Sequence, residues 1–360
     1  MKTNTIVIAL LLVSLTAIPT IVSSTTAHAA NSFNQPGNIL ITDQFNNRVI
    51  EITPTGNIVW TFGNGPHDAS ANAIAGTNDA ERIPGGLTLI SGTGVPAGTT
   101  TSCKKGCVDN RVLIVDRGDN IVWQYGQFGV SGFGPNQLNV PVQNTYLPVG
   151  LTGTPSVLIT DQSNERIIEV RISDHAIIWQ YGQNGVPGIG PNQLNNPNAA
   201  ELLTNGNILI SDENNNRAIE VTHTMPSTIV ATFTNHGTVS GVAFASRLVN
   251  GDTLITDSNN ARIVEVDQND NTVWQYFTNT AAGSNPNPLP TRAVRLANGN
   301  TLISDQFNDR VIEITSTASP TIVASYGTIN VPGYSPSTAN VLNAPYSAYI
   351  IGDYTGITPP

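Results

Sequence analysis

The sequence contains few charged residues and almost no lysine. Of its 360 residues, 11% are charged, and acidic residues outnumber basic ones by 25 to 15. Apart from Lys2, the lysines are Lys104 and Lys105, which stand next to each other. An acidic chain without a basic stripe argues against nucleic acid and against anionic lipid as partners.

Cysteine is nearly absent as well. The two cysteines, Cys103 and Cys107, enclose the segment Lys-Lys-Gly. A zinc site usually needs four ligands, and the sequence has no second cysteine pair, so half of a metal site is the weaker interpretation. In an exported chain, a lone and closely spaced pair predicts a disulfide.

Long apolar runs are missing except near the start of the chain. The run Ile6–Val22 follows Lys2 and is interrupted by Pro19. A positive start, an apolar core and an Ala-His-Ala-Ala segment are typical of a secretory signal peptide, here over residues 1–30. Cleavage after Ala29 or Ala30 predicts a secreted, cell-surface or periplasmic protein without a transmembrane segment. An uncleaved anchor is the alternative.

Helical periodicity is absent beyond this leader, and a short unit recurs instead. The unit is an apolar strand, the motif Asp-x-x-Asn-x-Arg, and alternating Val or Ile with a Glu between them. Its aspartates are Asp43, Asp161, Asp212, Asp257 and Asp305, and its arginines are Arg48, Arg111, Arg166, Arg217, Arg262 and Arg310. The last four aspartates lie 45 to 51 residues apart, and a period in this range with about four strands per repeat is typical of a β-propeller.

The sequence therefore predicts an all-β fold, a six-bladed β-propeller of four-stranded antiparallel blades, in a single domain over residues 31–360. Blade 2 carries an insertion, Gly92–Val108, which contains both cysteines, and has Ser91 where other blades have Asp. The expected blades span residues 37–63, 78–126, 146–182, 198–233, 240–277 and 290–327.

The first repeat lacks the Ala-containing strand that precedes each later repeat. The segment Ala344–Ile351 has the character of that strand, and no repeat follows it. We predict that residues 344–351 pair into blade 1 and close the ring, which leaves no open sheet edge between the two termini.

The unit GPNQLNxP…NGNILISDxxNxR resembles the NHL repeat, and the likeness covers residues 37–351. The resemblance implies a propeller, and propellers of this type serve as protein-binding rings, RNA-binding rings, lyases and hydrolases. The strand endings Gly56–Trp60, Asp119–Trp123 and Ala176–Trp179 are similar to those of arylsulfotransferases and quinone-dependent dehydrogenases. Neither the catalytic histidines nor the quinone pocket of those families maps onto this chain.

Two sets of repeated residues are interpreted as structural. The Asp and Asn of each motif can accept turn N–H groups, and the Arg can fork onto the Asp, although a ring of ligand-binding groups is the alternative. Trp60, Trp123, Trp179 and Trp274 share one repeat position on the last strand. We expect them to pack between blades rather than to stack on a sugar or a quinone.

Candidate functional residues are those that break the repeat. His67 lies near Asp79 and Glu81 in the sequence, and imidazole with carboxylates suits acid–base work or a divalent ion such as calcium. No other cofactor is predicted. Further ligand-binding candidates stand on the inner strands, which line the channel of a propeller: Asn198, Glu201, Arg292 and Arg295.

These observations favour a monomeric extracellular binding or scaffold module for a protein or a small ligand. No Walker loop, nucleophile motif or asymmetric histidine-rich set is present in the sequence. The alternative is a propeller enzyme of the lyase, hydrolase or sulfotransferase type, with its site at the mouth of the central channel.

Overall fold

The structure, a computed structural model, describes residues 32–353 and contains six sheets of four antiparallel strands. The predicted signal peptide, residues 1–30, lies outside this range. Within residues 32–353, no helix has the length and apolar character needed to cross a membrane.

Each blade runs from an inner strand at the channel to an outer strand at the rim. The inner strands are β4 (Thr77–Ile83), β8 (Pro141–Leu147), β12 (Pro197–Leu202), β16 (Val242–Arg247), β20 (Arg292–Arg295) and β24 (Pro345–Ile350). The second strands are β1 (Ile39–Asp43), β5 (Leu87–Val95), β9 (Ser156–Asp161), β13 (Ile208–Asp212), β17 (Thr253–Asp257) and β21 (Thr301–Asp305). The third strands are β2 (Arg48–Ile52), β6 (Cys107–Val115), β10 (Arg166–Arg171), β14 (Arg217–Val221), β18 (Arg262–Val266) and β22 (Arg310–Ile314). The outer strands are β3 (Ile58–Phe62), β7 (Ile121–Gly126), β11 (Ile177–Gly182), β15 (Ile229–Phe233), β19 (Thr272–Phe277) and β23 (Ile322–Gly327).

The order and closure of the sheets agree with the prediction. Strand β24 pairs antiparallel with β1, and the register places Tyr349 opposite Leu40 and Ala348 opposite Ile41. Blade 3 starts earlier than the expected residue 146, because its inner strand begins at Pro141. That strand, PVQNTYL, lacks the alanine by which the other inner strands were recognised.

The core lies between neighbouring blades. The second and third strands of each blade are rich in Val, Ile and Leu because both of their faces are covered by neighbouring blades. In β1 and β2, for example, every residue is buried. One apolar cluster joins Leu40 of blade 1 to Ile90 of blade 2, and another joins Ile41 of blade 1 to Leu302 of blade 6. Each such side chain contributes about 1.5–3 kcal/mol when fully buried.

The Asp-x-x-Asn-x-Arg turns connect the strands to the linker that enters each inner strand. In blade 1, Asp43 Oδ2 accepts from Arg48 Nε and from Asn46 Nδ2, both at 2.8 Å, and its Oδ1 accepts from the backbone N of Asn343 at 2.8 Å. A short 3₁₀ turn follows the Asp in blades 1, 3, 4, 5 and 6. The equivalent buried pairs are Arg166–Asp161, Arg217–Asp212, Arg262–Asp257 and Arg310–Asp305.

Blade 2 keeps this arrangement with a relocated carboxylate. The expected place of Ser91 was wrong by one residue, because Gly92 and not Ser91 stands opposite Arg111, where the other blades have Asp. Asp109 on the next strand lies 2.5 Å from Arg111 Nε and accepts from the backbone N of Ala75 at 2.8 Å. A Cβ at Gly92 would lie 2.6 Å from the Asp109 carboxyl carbon, so the relocated carboxylate requires a glycine there. Beyond it, β5 and β6 extend into the insertion, whose tip carries the predicted disulfide between Cys103 and Cys107.

The four tryptophans pack between blades, at the position expected from the repeat. Each indole N–H donates to a backbone carbonyl in the outer hairpin turn of the next blade. The bonds run from Trp60 to Arg117 (3.3 Å), Trp123 to Ile172 (3.1 Å), Trp179 to Thr224 (3.1 Å) and Trp274 to Thr317 (2.9 Å).

Candidate functional site

The central channel is lined by the first residues of the inner strands. Irregular register at the start of β4, β8, β12, β16 and β24 brings two successive residues of these strands to the channel. The lining residues are Asn78, Asp79, Val142, Gln143, Asn198, Ala199, Ala243, Phe244, Thr291, Arg292, Tyr346 and Ser347. The 3₁₀ turns lie beside these strand starts. We call the surface formed by these turns and the linkers entering the inner strands the turn face.

The channel is closed by its own side chains just below the turn face. Arg292 Nη1 lies 2.5 Å from Asp79 Oδ1, and the guanidinium carbon lies 4.5 Å from the centre of the Phe244 ring. Asp79 Oδ2 also accepts from the backbone N and the Nδ2 of Asn144, both at 3.1 Å. The space left is about 10 Å³, which is the lower limit for a single water molecule. The channel at this level is therefore too narrow for anything larger than a water molecule.

The mouth is surrounded by the residues that directly follow the motif aspartates. In blades 1, 3, 4, 5 and 6 these are Gln44, Gln162, Glu213, Ser258 and Gln306. Gln306 Nε2 donates to Gln44 Oε1 at 2.8 Å, and Gln44 Nε2 donates to Asn78 Oδ1 at 2.7 Å. The amides thus form a fixed polar rim on this side of the mouth.

Glu213 is the carboxylate among these five positions. Its Oε2 accepts from Asn198 at 3.0 Å, Asn196 at 3.3 Å and Gln162 at 3.4 Å. Burial raises the pKa of Glu213 to about 7, although the hydrogen bonds from Asn198 and Asn196 lower it. A carboxyl with a perturbed pKa in a cleft is a candidate functional group. Sequence reasoning missed it, but the signal was present, since blade 4 reads DENNNR where blades 1 and 6 read DQFNNR and DQFNDR.

The channel brings together three of the candidate residues named from the sequence. Asp79 and Arg292 form the pair described above, and Asn198 lies between Glu213 and Tyr346, whose hydroxyl donates to Asn198 Oδ1 at 2.9 Å. Glu201 lies near the other end of its inner strand, where it accepts from the backbone N of Arg247 at 3.3 Å.

Glu81 lies one layer below Asp79 and is fully enclosed. Its Oε2 accepts from the backbone N of Tyr146 at 2.7 Å. Burial raises the pKa of Glu81 well above its usual range, and the nearby charge of Asp79 adds to this effect. Only 1% of the surface of Glu81 is exposed to solvent.

His67 lies apart from Asp79 and Glu81. It is exposed, and its Nδ1 is 2.9 Å from the Thr101 hydroxyl in the blade 2 insertion. Across residues 32–353, no group of three or more His, Cys, Asp or Glu side chains is arranged to hold a metal ion. The structure thus does not gather His67, Asp79 and Glu81 into one cluster.

Arg295 belongs to a set of contacts that join blades at the end of the channel opposite the turn face. The Glu of the third strand in one blade pairs with a cation on the inner strand of the next. These pairs are Glu51–Arg82 (2.6 Å), Glu220–Arg247 (3.1 Å) and Glu265–Arg295 (2.8 Å). Blade 2 has Ile114 in place of the Glu, and blade 3 correspondingly presents Tyr146, which packs in the same apolar cluster.

Comparison with known proteins supports the fold. No protein-family model and no curated protein sequence matches the chain. Virginiamycin B lyase from Staphylococcus aureus is 14% identical, with a TM-score of 0.50 over 83% of this chain and 86% of that one. A protein of unknown function from Bacteroides caccae is 15% identical, with a TM-score of 0.51 over 80% and 94%. A chain of a nidogen/laminin complex is 10% identical, with a TM-score of 0.53 over 80% and 92%.

What these proteins share with the chain is the propeller. At such low identity the likeness shows the fold alone, because one fold carries many functions. The NHL-like repeat in the sequence is compatible with these neighbours, which include both an enzyme and a binding complex.

Proposed function

We propose that the protein is an extracellular binding module whose turn face captures a cationic group, such as an exposed Arg or Lys side chain of a partner protein. The observation that carries the proposal is the set of bonds to Glu213. All of its hydrogen bonds reach Oε2, so its Oε1 has no protein partner among residues 32–353. A half-buried carboxylate oxygen held beside amide groups is suited to accept a charge-assisted hydrogen bond.

The charge of the whole chain supports the same class of ligand. The formal net charge is −10, and an acidic surface raises the local concentration of cations and speeds their association. The closed channel supports recognition at the surface, because about 10 Å³ of free space cannot admit a substrate.

The test is a calorimetric titration of the full chain with N-acetyl-arginine amide at several pH values. Because the pKa of Glu213 is about 7, its ionised fraction rises between pH 6 and pH 8. We expect the affinity to increase up to about tenfold over that interval. In Glu213→Gln the affinity should fall and its pH dependence should disappear.

The matched control is Asp252→Asn, a carboxylate in the turn Leu248–Asp252, which follows an inner strand away from the turn face. Its affinity should equal that of the unchanged protein. Equal binding by the Glu213→Gln variant at pH 8, or a flat pH profile in the unchanged protein, would contradict the proposal.

The extracellular location rests on two features. The segment before Asn31 has the pattern of a signal peptide, and the bridge between Cys103 and Cys107 fits an oxidising compartment. Amino-terminal sequencing of the exported protein should give a first residue at Ala30 or Asn31. Recovery of intact Met1 in the exported fraction would favour a retained anchor.

An enzyme is the second candidate, and the pKa of Glu213 favours it. A carboxyl with a pKa of about 7 is matched to general acid–base work near neutral pH. Against it, the four histidines within residues 32–353, His67, His175, His223 and His236, are all absent from the channel lining. A stoichiometric zinc or calcium ion in the purified protein would move the balance toward this candidate.

A further inference from the structure

The boundary between blades 6 and 1 lacks the tryptophan that fills four of the other boundaries. At those four, an indole packs between the blades and donates to the carbonyl of the next outer turn, at 2.9–3.3 Å. Blade 6 has Ala324 at this position, opposite Glu313, just as Trp60 stands opposite Glu51 in blade 1. The register is therefore preserved and the large side chain is missing.

A cleft of about 460 Å³ opens at this boundary. It runs between Ala324 and the outer turn Pro54–Gly56 of blade 1, the counterpart of the turns that accept the indole N–H elsewhere. The other lining residues are Val323, Ser325, Tyr326, Gly327, Thr328, Ala339 and Asn340. No charged side chain lines the cleft, so it suits a neutral ligand.

The carbonyl oxygen of Pro54 in this turn can still accept one more hydrogen bond. Tyr326 Oη donates to the carbonyl of Pro54 at 3.1 Å, and a carbonyl oxygen can accept a second hydrogen bond. The Tyr326 ring also packs on Gly56, where a Cβ would lie 3.9 Å from its Cδ1. One wall of the cleft is thus aromatic, and one end carries a hydrogen-bond acceptor.

Blade 4 also has an alanine at the tryptophan position, Ala231, but its boundary is closed in another way. Asp270, in the outer turn of blade 5, accepts from the backbone N of Thr234, Asn235 and His236 at 2.8–3.1 Å. Phe233 lies under the Arg247 guanidinium, 4.9 Å from its carbon to the ring centre. At this boundary the contacts of Asp270 and of Phe233 connect blade 4 to blade 5 where the tryptophan is missing.

We infer that the cleft at the blade 6–1 boundary is a binding site for a planar, neutral aromatic group that carries an N–H donor, such as an indole. The ligand takes the place that Trp60, Trp123, Trp179 and Trp274 fill at their boundaries, with its ring against Tyr326 and its N–H directed to the turn at Pro54. This site is separate from the mouth at Glu213 and does not depend on the function proposed there.

The test uses 5-fluoroindole as the probe and fluorine NMR of the full chain as the measurement. We expect saturable binding to the unchanged protein. Ala324→Trp supplies the missing side chain and should weaken binding at least tenfold. Ala231→Trp, the matched substitution in blade 4, and Glu213→Gln should each leave the affinity within about twofold. Methyl glucoside, a neutral ligand without an aromatic ring, should not displace the probe.

A second variant keeps the test decisive should Ala324→Trp fail to fold. Ala324→Leu fills part of the cleft and should weaken binding at least threefold. The inference is overturned by any of three results: no saturable binding to the unchanged protein, full affinity in the folded Ala324 variants, or displacement of the probe by the sugar.

Discussion

Arg292 of blade 6 reaches across the central channel to Asp79 of blade 2, with 2.5 Å between Nη1 and Oδ1 and both side chains almost fully buried. The contact joins blades that are not neighbours in the ring. It fills the space in which a propeller could otherwise hold a ligand.

Loss of Arg292 should destabilise the protein strongly. Arg292→Leu leaves Asp79 buried without its cation, and removal of one partner of a buried pair costs about 3–5 kcal/mol. Urea unfolding checks the value. Arg171→Leu is the control, because Arg171 and Asp174 form an exposed pair worth about 1 kcal/mol or less. The double variant Asp79→Leu, Arg292→Leu should recover much of the loss, and equal losses for Arg292→Leu and Arg171→Leu would contradict the account.

Loss of a motif arginine should destabilise the fold and not abolish one particular activity. Arg262 Nε lies 2.5 Å from the buried Asp257 carboxylate, so Arg262→Ala leaves a buried charge with fewer partners, at a cost of about 3 kcal/mol. Asn259→Ala, an exposed position in the same turn, is the control. A soluble Arg262→Ala protein with an unchanged melting curve would show that the motif is not needed for stability.

Asp305 should make the stability of the protein depend on pH, because the linker residue beside it has no N–H. This residue is Pro288, whose carbonyl accepts from the backbone N of Phe307 just as the carbonyl of Asn343 accepts from that of Phe45 in blade 1. In the other blades with a 3₁₀ turn, a linker N–H binds the motif Asp, as Asn343 does for Asp43, whereas Asp305 Oδ1 has no hydrogen-bond partner. Burial raises the pKa of Asp305 to about 6 from an ordinary 3.8, although Arg310 lowers it. Because its pKa is higher in the folded protein, the protonated Asp305 side chain stabilises the folded state. This stabilisation, roughly 3 kcal/mol, is fully present below pH 3.8 and is lost as the pH rises through 6.

Pro288→Ser restores the N–H and tests this assignment. The variant should gain stability over the unchanged protein as pH rises from 4 to 7, since its Asp305 pKa is lower. The entropic cost of losing a proline, about 0.4–1 kcal/mol, is independent of pH. Pro286→Ser, in the same linker, should show no change in pH dependence. Parallel pH profiles for the Pro288 variant and the unchanged protein would refute the role of the missing N–H.

A side chain at Gly182 should reduce stability more than a side chain at Gly206, which also has a positive φ. A Cβ at Gly182 (φ +101°) would lie 2.2 Å from the carbonyl oxygen of Glu165, whereas a Cβ at Gly206 (φ +83°) meets nothing within 4 Å. Gly206→Ala should cost only the left-handed conformation, about 1–2 kcal/mol. Gly182→Ala must also displace backbone and should lower the melting temperature further. Equal shifts for the two variants would argue against the close approach.

The sequence was sufficient for features that every blade repeats. The Asp43–Arg48 spacing and the strand at 344–351 predicted six blades and the closure of the ring, because geometry common to all blades imposes the same residues each time. The role of Asp109 could not be predicted. In the other blades the motif Asp precedes its Arg by five residues, whereas Asp109 precedes Arg111 by two. The inner strand at Pro141 was placed too late because its side chains follow no repeat.

The candidate site was harder to predict because it depends on departures from the repeat. Arg292 was expected at the channel and Asp79 in a cluster with His67, yet the contact between Arg292 and Asp79 joins distant parts of the chain and has no local signal. Glu213 belongs to a motif that was interpreted as structural in every copy. The difference between this Glu and the Gln of blades 1, 3 and 6 was therefore not treated as functional. Its raised pKa arises from burial, which appears only in three dimensions.

Because β24 pairs with β1, the sheet of blade 1 is completed only after residues 345–350 have been synthesised. A chain made from its amino end holds blade 1 as a three-stranded sheet, with one edge unsatisfied, while five more blades are produced. Only the arrival of residues 345–350 supplies the partner for that edge.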